Sequence, residues 1–258
     1  MHTKSLLYYL LGVILSYLIT CNSSLLANSS ILIWPLDPVI EADQNAASLW
    51  LENHSANSIL IQIRVFSWKQ KNNDNQLLEQ HEIIISPPMV EILPKNKQLI
   101  RLIKNITPPQ DHEWSYRILI DEIPQDIIEP TKDKMGLTFK MRYSIPLFLN
   151  GKNIIGGIKP NYQSLRTFTA TQPRLYYRII TKNGKKLLII HNKGLVHAKV
   201  TDIMVLNEKT KDIINNGFFG YILPKSEIFI PFSTIIPKGF LVARVNDNLQ
   251  FQQLIPEC

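Results

Sequence analysis

From residue 31 onward, apolar residues recur at every second position of this chain, and this period limits its fold more than any other feature. In Ile59–Trp68, with the sequence ILIQIRVFSW, the alternation places Ile61, Ile63 and Val65 on one side. A strand with one buried and one solvated face has this pattern. No segment carries a long apolar stripe at helical spacing, so we expect an all-β fold.

Similar segments follow along the chain, separated by short clusters of Asn, Pro and Gly that are typical of turns. The dipeptide Asn183-Gly184 between two apolar runs is a strong hairpin signal. Many short strands at this spacing are typical of antiparallel sandwiches of the immunoglobulin type. Besides Ile59–Trp68, we predict strands at Ala47–Glu52, Glu82–Ser86, Gln98–Ile103, Trp114–Glu122, Leu137–Leu147, Arg174–Thr181, Lys186–His191, Ala198–Asn207, Glu227–Phe232 and Phe240–Asn246.

The glycine-rich stretch Asn150–Pro160 divides this pattern into two halves. A chain of 258 residues is long enough for two separate cores. We therefore predict a first sandwich domain over residues 28–150, a linker over 151–160 and a second sandwich domain over 161–258.

The N-terminus has the form of a secretory signal peptide. Met1–Lys4 is positively charged, and Leu6–Thr20 is almost wholly apolar but short for a membrane span. We predict a signal over residues 1–27 with cleavage after Ala27, and we expect the mature protein to be soluble outside the cytoplasm. A weak likeness to a lipoprotein cleavage site at Cys21 leaves lipid anchoring open.

The residue patterns of common enzymes are absent. The sequence has no nucleophile elbow, no HExxH motif, no CxxC pair and no phosphate loop. We expect no catalysis, no cofactor, no metal and no small-molecule substrate. The net charge of +7 comes from scattered lysines. This indicates either a solvated basic surface or a groove for a carboxylate-bearing partner, and no nucleic acid.

The segment 137–145 alternates without a break. Thr138, Lys140, Arg142 and Ser144 point one way. By itself, this pattern is that of an amphipathic sandwich strand whose apolar side enters its own core. The opposite, apolar side consists of Leu137, Phe139, Met141, Tyr143 and Ile145.

Several motifs of the first half resemble, in order, the PapD-like periplasmic chaperones of the chaperone–usher system, especially those of archaic, spore-coat-protein-type pili. The second half resembles the family's second domain more weakly, through His191–Gly194, His197-Ala198 and Gly220–Pro224. The motifs of the first half are Leu32–Pro35, Val39–Glu41, Leu49–Asn53, Gln62–Trp68, Ser86–Pro88, Gln98–Leu102, Tyr116–Ile118, Asp121–Pro124 and Met141–Phe148.

The resemblance implies two immunoglobulin-like β-sandwich domains in an L-shaped, boomerang-like arrangement, located in the periplasm. It also implies that the last strand of the first domain is lent to pilin subunits, which lack a final strand of their own, before transfer to an outer-membrane usher. The donated side chains map onto Leu137, Phe139 and Met141, with Tyr143 as a candidate fourth.

In this family two basic residues of the interdomain cleft anchor the C-terminal carboxylate of the subunit. Here the two positions align with Asp37 and Pro146, so the known pair is not conserved. An arginine fork suits a carboxylate because it binds both oxygens. Candidate replacements are Arg117, Arg101, Lys140 and Arg142.

Other functions stay open at this point. The chain can instead be a secreted or lipid-anchored immunoglobulin-like binding module or adhesin without chaperone activity. An adhesin of this kind needs exposed aromatic residues, whereas we expect the tryptophans to be buried strand residues. An unpartnered apolar strand can also pair with a second copy, which would give a self-capped oligomer. The tryptophans are Trp34, Trp50, Trp68 and Trp114.

Overall fold

A computed structural model describes residues 31–124, 141–156, 171–182, 184–207, 210–232 and 239–257. Every regular element in these ranges is a β-strand, which confirms the all-β class. Within them, no helix is long and apolar enough to cross a membrane. The residues from Ile31 onward form one compact unit. The predicted signal peptide lies outside the described residues.

The first sandwich consists of two sheets. One has the strand order β1-β3-β8-β6 and the other the order β2-β10-β9-β4-β5, with β7 beside the other half of β4. Its strands are β1 (Ile31–Trp34), β2 (Val39–Ile40), β3 (Ala46–Asn53), β4 (Ile59–Lys71), β5 (Asp74–Leu78), β6 (Ile83–Ser86), β7 (Met89–Ile92), β8 (Lys97–Lys104), β9 (Glu113–Ile123) and β10 (Arg142–Asn150).

The period-two residues of these strands build the first core. Leu49 of β3, Ile63 of β4 and Ile118 of β9 are fully or almost fully buried between the sheets. A side chain of this size contributes about 1.5–3 kcal/mol when it leaves water. The alternation seen in the sequence therefore fixes which face of each strand turns inward.

A buried asparagine closes one end of the first core. The Asn53 side chain donates from Nδ2 to the carbonyls of Asn57 and Ile92, at 2.8 and 2.9 Å. Its Oδ1 accepts from the backbone N–H of Ser55 at 2.8 Å. The buried amide thus has hydrogen-bond partners for both its Nδ2 and its Oδ1.

The second sandwich also consists of two sheets, with strand orders β15-β12-β11-β18 and β14-β13-β16-β17. Its core includes Leu188, Val200 and Ala243. Its strands are β11 (Leu175–Lys182), β12 (Lys185–Asn192), β13 (Ala198–Leu206), β14 (Lys211–Ile222), β15 (Glu227–Phe232), β16 (Phe240–Val245), β17 (Gln252–Gln253) and β18 (Ile255–Pro256).

The hairpin predicted at Asn183-Gly184 joins β11 and β12. The two strands pair antiparallel up to Lys182 and Lys185, and Gly184 has a φ of +72°. Positive φ is the conformation that a two-residue hairpin turn requires and that glycine adopts without strain. This prediction is confirmed.

Strand β14 has no counterpart among the predicted strands. Its middle contains Asn215-Asn216-Gly217, which has the composition of a turn. The structure instead absorbs these residues in a bulged strand, with register shifts against β13 and a φ of +83° at Gly217. Local turn chemistry was thus overridden by pairing with β13.

A buried asparagine also bonds to backbone groups at one end of the second core. Asn192 donates from Nδ2 to the carbonyls of Val196 and Ile222, at 2.8 and 3.0 Å, and its Oδ1 accepts from the N–H of Gly194 at 2.9 Å. Its side chain, like that of Asn53, is fully buried.

The first residues of the predicted linker pack against the first sandwich. The N–H of Gly151 donates to the carbonyl of His112 at 2.8 Å, and Ile154 is buried. A Cβ atom on Gly151 would lie 2.1 Å from the carbonyl oxygen of Pro109, so glycine is required by this close approach. The linker boundaries at 151–160 stay a prediction.

Candidate functional site

The first half of β10 has a sheet neighbour on one side only. On one side, β9 pairs with β10 from Arg142 to Asn150. On the other side, β2 pairs with it only at Phe148 and Leu149. Among the described residues, no other strand lies along this outer edge. An uncovered strand edge presents backbone donors and acceptors to a further strand.

The apolar side of β10 continues the predicted donor pattern into the first core. Ile145 and Leu147 are buried, and Tyr143 is half-buried against the same core. Met141, just before the strand, is 46% exposed, and its carbonyl accepts from the N–H of Glu122 at 3.4 Å. The predicted donor residues Leu137 and Phe139, and the candidate anchor Lys140, lie outside the described residues.

A carboxylate on β9 links three strands where β10 begins. Asp121 accepts from Arg64 of β4 at 2.7 Å and from Nε of Arg142 of β10. Burial acts to raise the pKa of Asp121, but the hydrogen bonds and charges of Arg142 and Arg64 outweigh it and lower the pKa. Arg142 is therefore already engaged within the chain, and Asp121 ties the start of β10 to its neighbours.

Aromatic side chains fill the base of the cleft between the two sandwiches. Trp68 of β4, Phe148 of β10 and Leu223, which follows β14, form a buried cluster, and Tyr221 packs against it. The ring of His197 lies flat on Phe148, with ring centroids 3.4 Å apart. The two sandwiches thus share a small apolar core of their own.

Hydrogen bonds fix the same interface. The side chain of Glu113, buried at the start of β9, accepts from the N–H of His197 at 2.8 Å and lies 2.9 Å from its Nδ1. Gln70 of β4 donates to the carbonyl of Tyr221 and accepts from the N–H of Leu223, both at 2.8 Å. These contacts hold the walls of the cleft in a defined position.

Arg117 lies in this cleft, on the outer face of β9. Its guanidinium stacks 3.7 Å from the centre of the Trp68 ring, with Tyr221 at 5.7 Å. Burial lowers the pKa of Arg117, opposed by a smaller effect of Tyr221. Within the described part of the chain, no carboxylate lies at ion-pair distance from it. Arg117 is thus a cation with an aromatic support and an unused hydrogen-bonding fork.

Arg101, the remaining candidate anchor, lies on the other sheet. It occupies an exposed position on β8, opposite Ser48 and Ser86. Arg117 and Arg142 share the outer face of the β10-β9-β4 sheet. They are separated along it, because Arg142 is opposite Asp121 whereas Arg117 is opposite Pro146.

The expectation that the tryptophans are buried is wrong in part. Trp68 is buried, but Trp34 and Trp50 are half-exposed and stack on the outer face of the first sheet with ring centroids 6.2 Å apart. Leu49 and Leu51 occupy the core, so the two-residue period turns Trp50 outward. Trp114 is half-buried against the core.

His191 and His197 have separate partners. His191 lies 3.6 Å from a carboxylate oxygen of Glu257, whereas His197 contacts Glu113. In the parts of the chain that the structure covers, no group of three or more His, Cys, Asp or Glu side chains is arranged to hold a metal ion.

Comparison with known proteins adds the family. The model of the pili and flagellar-assembly chaperones, PapD N-terminal domain, matches residues 37–154. The chaperone protein CssC of Escherichia coli is 24% identical over 213 residues, which cover 81% of this chain and 82% of that protein. The chaperone–tip adhesion subunit pre-assembly complex CsuC–CsuE from the archaic Csu pili of Acinetobacter baumannii contains a chain with 29% identity and a TM-score of 0.71. The match covers 89% of this chain and all of that one.

The first sandwich therefore carries a PapD N-terminal domain, and the comparisons along the whole chain support a PapD-like pilus-assembly chaperone. The resemblance to archaic chaperones inferred from the sequence agrees with the Csu match. The family acts in pilus assembly without catalysis, so the interpretation of the chain as a non-enzyme is confirmed. The complex of Salmonella enterica SafA pilin with the SafB chaperone contains a chain that shares the fold at 16% identity and a TM-score of 0.57, over 84% of this chain and 89% of that one.

Two features of the chaperone's site were not found from the sequence. In the sequence, Asp121 is only part of the motif Asp121–Pro124, because its link to Arg64 and Arg142 depends on the register of three strands. The aromatic wall from Phe218 to Tyr221 lies on β14, which the strand prediction lacks. A strict count of alternation on β9 would have placed Arg117 and Asp121 on one face.

Proposed function

We propose that this chaperone caps pilin subunits in the periplasm with the uncovered edge of β10 and delivers them to an outer-membrane usher. The observation that carries the proposal is that edge, bordered by β9 on one side and uncovered in its first half on the other. The related CsuC chaperone forms a pre-assembly complex with a tip adhesion subunit, which supports a subunit as the partner here.

The physical basis is strand addition. A subunit that lacks its last strand exposes backbone groups and an apolar groove, and the backbone of β10 supplies the missing hydrogen bonds. Apolar side chains N-terminal to Tyr143, with Met141 nearest, fill the groove. Each large side chain removed from water contributes about 1.5–3 kcal/mol. No nucleotide or cofactor takes part.

We also propose Arg117 as the anchor for the C-terminal carboxylate of the subunit. Its guanidinium is supported by Trp68, is partly buried and pairs with no described carboxylate. A carboxylate arriving from a partner would form a charge-assisted, two-pronged contact in a cleft that excludes much of the solvent. Arg142 is less suited, because Asp121 already holds it.

The test is co-expression of the chain with a fimbrial subunit encoded beside its gene, followed by measurement of subunit in the periplasm. Replacing both Phe139 and Met141 with Glu should abolish subunit accumulation, because charges cannot enter an apolar groove. The control is Thr138→Glu, which falls on the opposite side of the alternation and should leave accumulation unchanged. Equal subunit levels with the doubly substituted chain and the parent would refute strand donation.

A further inference from the structure

A β-bulge in β14 of the second sandwich brings the ring of Phe218 to the same side as that of Tyr221, facing the cleft. In the pairing of β13 with β14, Val200 is opposite Gly220 and Thr201 is opposite Phe218, which leaves Phe219 as an extra residue. In a regular strand, Phe218 and Tyr221 would face opposite sides, because they are three positions apart. Here their rings meet edge to face with centroids 5.7 Å apart. Bulges commonly re-aim side chains beside functional sites.

The bulge depends on Gly220, whose φ is +150°. L-residues with a side chain rarely adopt this conformation, so glycine is the residue that permits the turn of the backbone. Phe218, within this bulge, is 61% exposed. A large exposed aromatic ring beside a cleft indicates a contact surface for a partner.

Phe218 forms one wall of a cavity of about 280 Å³ between the two sandwiches. The cavity is close in size to a small ligand pocket and fits one or two side chains. Glu227 also reaches it, but its carboxylate is bound to Arg178 at 2.7 Å. The cavity is lined by Arg117, by the rings of Trp68, Phe218, Phe219, Tyr221 and Phe229, and by Gln70, Asn73 and Asn75, whose side-chain oxygens accept hydrogen bonds from Leu223, Phe229 and Trp68 within the chain.

One cation and five aromatic rings line the cavity, beside three amide side chains whose oxygens are already hydrogen-bonded. Arg117 lies against Trp68 and has no anion among the described residues, so it favours a carboxylate. The remaining walls favour a flat apolar group, because aromatic rings pack on one another edge to face or offset. The last residue of a peptide that ends in a large apolar residue carries both the carboxylate and the apolar side chain on one α-carbon.

One wall residue of the cavity, Arg117, lies beside the capping strand. Arg117 on β9 is the direct cross-strand neighbour of Pro146 on β10, in the half of the strand that β2 leaves uncovered. If Arg117 anchors the carboxylate as proposed above, the chain end of a subunit paired with this edge lies beside the cavity. The subunit, rather than a free small molecule, is therefore the expected occupant.

We propose that this cavity binds the last residue of the subunit and selects a large apolar side chain, best an aromatic one. The inference rests on the proposed function and adds specificity to it. Arg117 binds the carboxylate, whereas the rings of Phe218, Phe229 and Tyr221 contact the side chain and determine which side chains fit. Subunits ending in a small or charged residue would be captured less well.

The test titrates acetylated tetrapeptides into the full mature chain and follows the backbone amide shifts of the cavity residues by NMR. The probes are Gly-Gly-Gly-Phe with a free carboxylate, the same peptide as an amide, and Gly-Gly-Gly-Ala with a free carboxylate. We expect the first to bind on the order of tenfold more tightly than either of the others, corresponding to the loss of one favourable group.

Two variants separate the two halves of the site. Phe218→Ala should remove the preference for Phe over Ala but keep the preference for the acid over the amide, and Arg117→Gln should do the reverse. The matched control is Phe240→Ala on β16, since Phe240 is also 61% exposed but does not line the cavity. It should leave both preferences intact.

Equal binding of the Phe and Ala peptides, or no shift of cavity residues at millimolar peptide, would overturn the inference. An unchanged preference in Phe218→Ala would do the same. The subunit-accumulation experiment is independent of these peptides. If accumulation depends on Phe139 and Met141 while the peptides are not distinguished, only the selectivity of the cavity fails. If accumulation does not depend on them, the proposed function itself fails.

Discussion

The two sandwiches contain the same corner and use it differently. By corner we mean a buried asparagine, Asn53 or Asn192, together with the Leu-Pro-Lys turn that its backbone carbonyl contacts. The N–H of Lys95 donates to the carbonyl of Asn53 at 2.9 Å. The N–H of Lys225 donates to the carbonyl of Asn192 at 2.8 Å. The leucine of the first turn, Leu93, is 56% exposed. That of the second is 4% exposed and belongs to the cluster between the sandwiches. The two corners thus have the same backbone hydrogen bonds. They differ in whether the leucine of the turn is exposed or packs between the sandwiches.

The strand edges differ in the same way. In the second sandwich, β18 covers part of β11, pairing at Tyr176 and Tyr177, and Glu257 ties this tail down through ion pairs with Arg178 and Lys193. In the first sandwich, the comparable interaction of Asp121 secures β10, but no strand of the described ranges covers the first half of its outer edge. One sandwich closes an edge with its own tail, and the other keeps one available for a partner.

The largest effect is expected from breaking either asparagine corner. Asn192→Ala leaves the buried carbonyls of Val196 and Ile222 and the N–H of Gly194 without partners. Such groups cost about 1–3 kcal/mol each, so we expect a loss of about 3 kcal/mol or more in the free energy of unfolding. Asn53→Ala should cost less, about 1–3 kcal/mol, because among its partners only the hydrogen bond to the carbonyl of Ile92 is fully buried.

The tryptophans make the two corners distinguishable, because all four lie in the first sandwich. In urea titrations, Asn53→Ala should shift the transition seen by tryptophan fluorescence. Asn192→Ala should shift far-UV circular dichroism more than fluorescence. The exposed Asn216→Ala is the control and should stay within about 0.5 kcal/mol of the parent. If Asn53→Ala and Asn192→Ala gave identical shifts by both probes, the two corners would not stabilise separate units.

The two equivalent leucines provide the next comparison. Leu223→Ala removes a buried side chain from the contact between the sandwiches and should cost about 2 kcal/mol, since the cavity left behind is only partly refilled. Leu93→Ala, at the matched position of the first corner, should cost less than about 0.5 kcal/mol. Both are measured by urea titration. A cost for Leu93→Ala as large as that for Leu223→Ala would contradict the assigned difference in burial.

Much of the fold was predictable, because β-strands with one buried face carry a period-two signal that needs no tertiary information. Strands β4, β9 and β12 follow directly from it. Strand β14 was missed because Asn215-Asn216-Gly217 has turn composition, and only its pairing with β13 keeps it extended. The repeated Leu-Pro-Lys was visible in the sequence, but its meaning depends on the buried asparagines.

The residues of the site that lie on one strand were predictable from the sequence. The contacts that form across the cleft between the two sandwiches were not. Arg117 was among the candidates because its residue type suits a carboxylate. Its support by Trp68 and the ring of Phe218 across the cleft depend on tertiary packing and a bulge. The sequence favoured Arg117 because it lies on the strand before the donor strand, but alternation alone does not show that Arg101 belongs to the other sheet.

The smallest effect concerns the tail that closes the second sandwich, and it depends on pH. Hydrogen bonds and charges of Lys193 and Arg178 lower the pKa of Glu257 to about 2, against an ordinary value of 4.5. The charged form is favoured in the folded state, so its contribution is complete above about pH 4.5 and disappears as the pH falls towards 2. Replacing Glu257 with Gln removes it at every pH.

We therefore expect the urea midpoint of Glu257→Gln to lie slightly below that of the parent at neutral pH, and the two to converge between pH 4.5 and 2. The control is Glu91→Gln on β7, an exposed carboxylate with no ion pair among the described residues, which should follow the parent throughout. A difference that persisted at pH 2 would mean that the tail is held by the packing of β18 on β11 and not by the charge of Glu257. In that case the second sandwich would differ from the first in having β18 paired along its edge, and the ion pairs of Glu257 would not contribute to the difference.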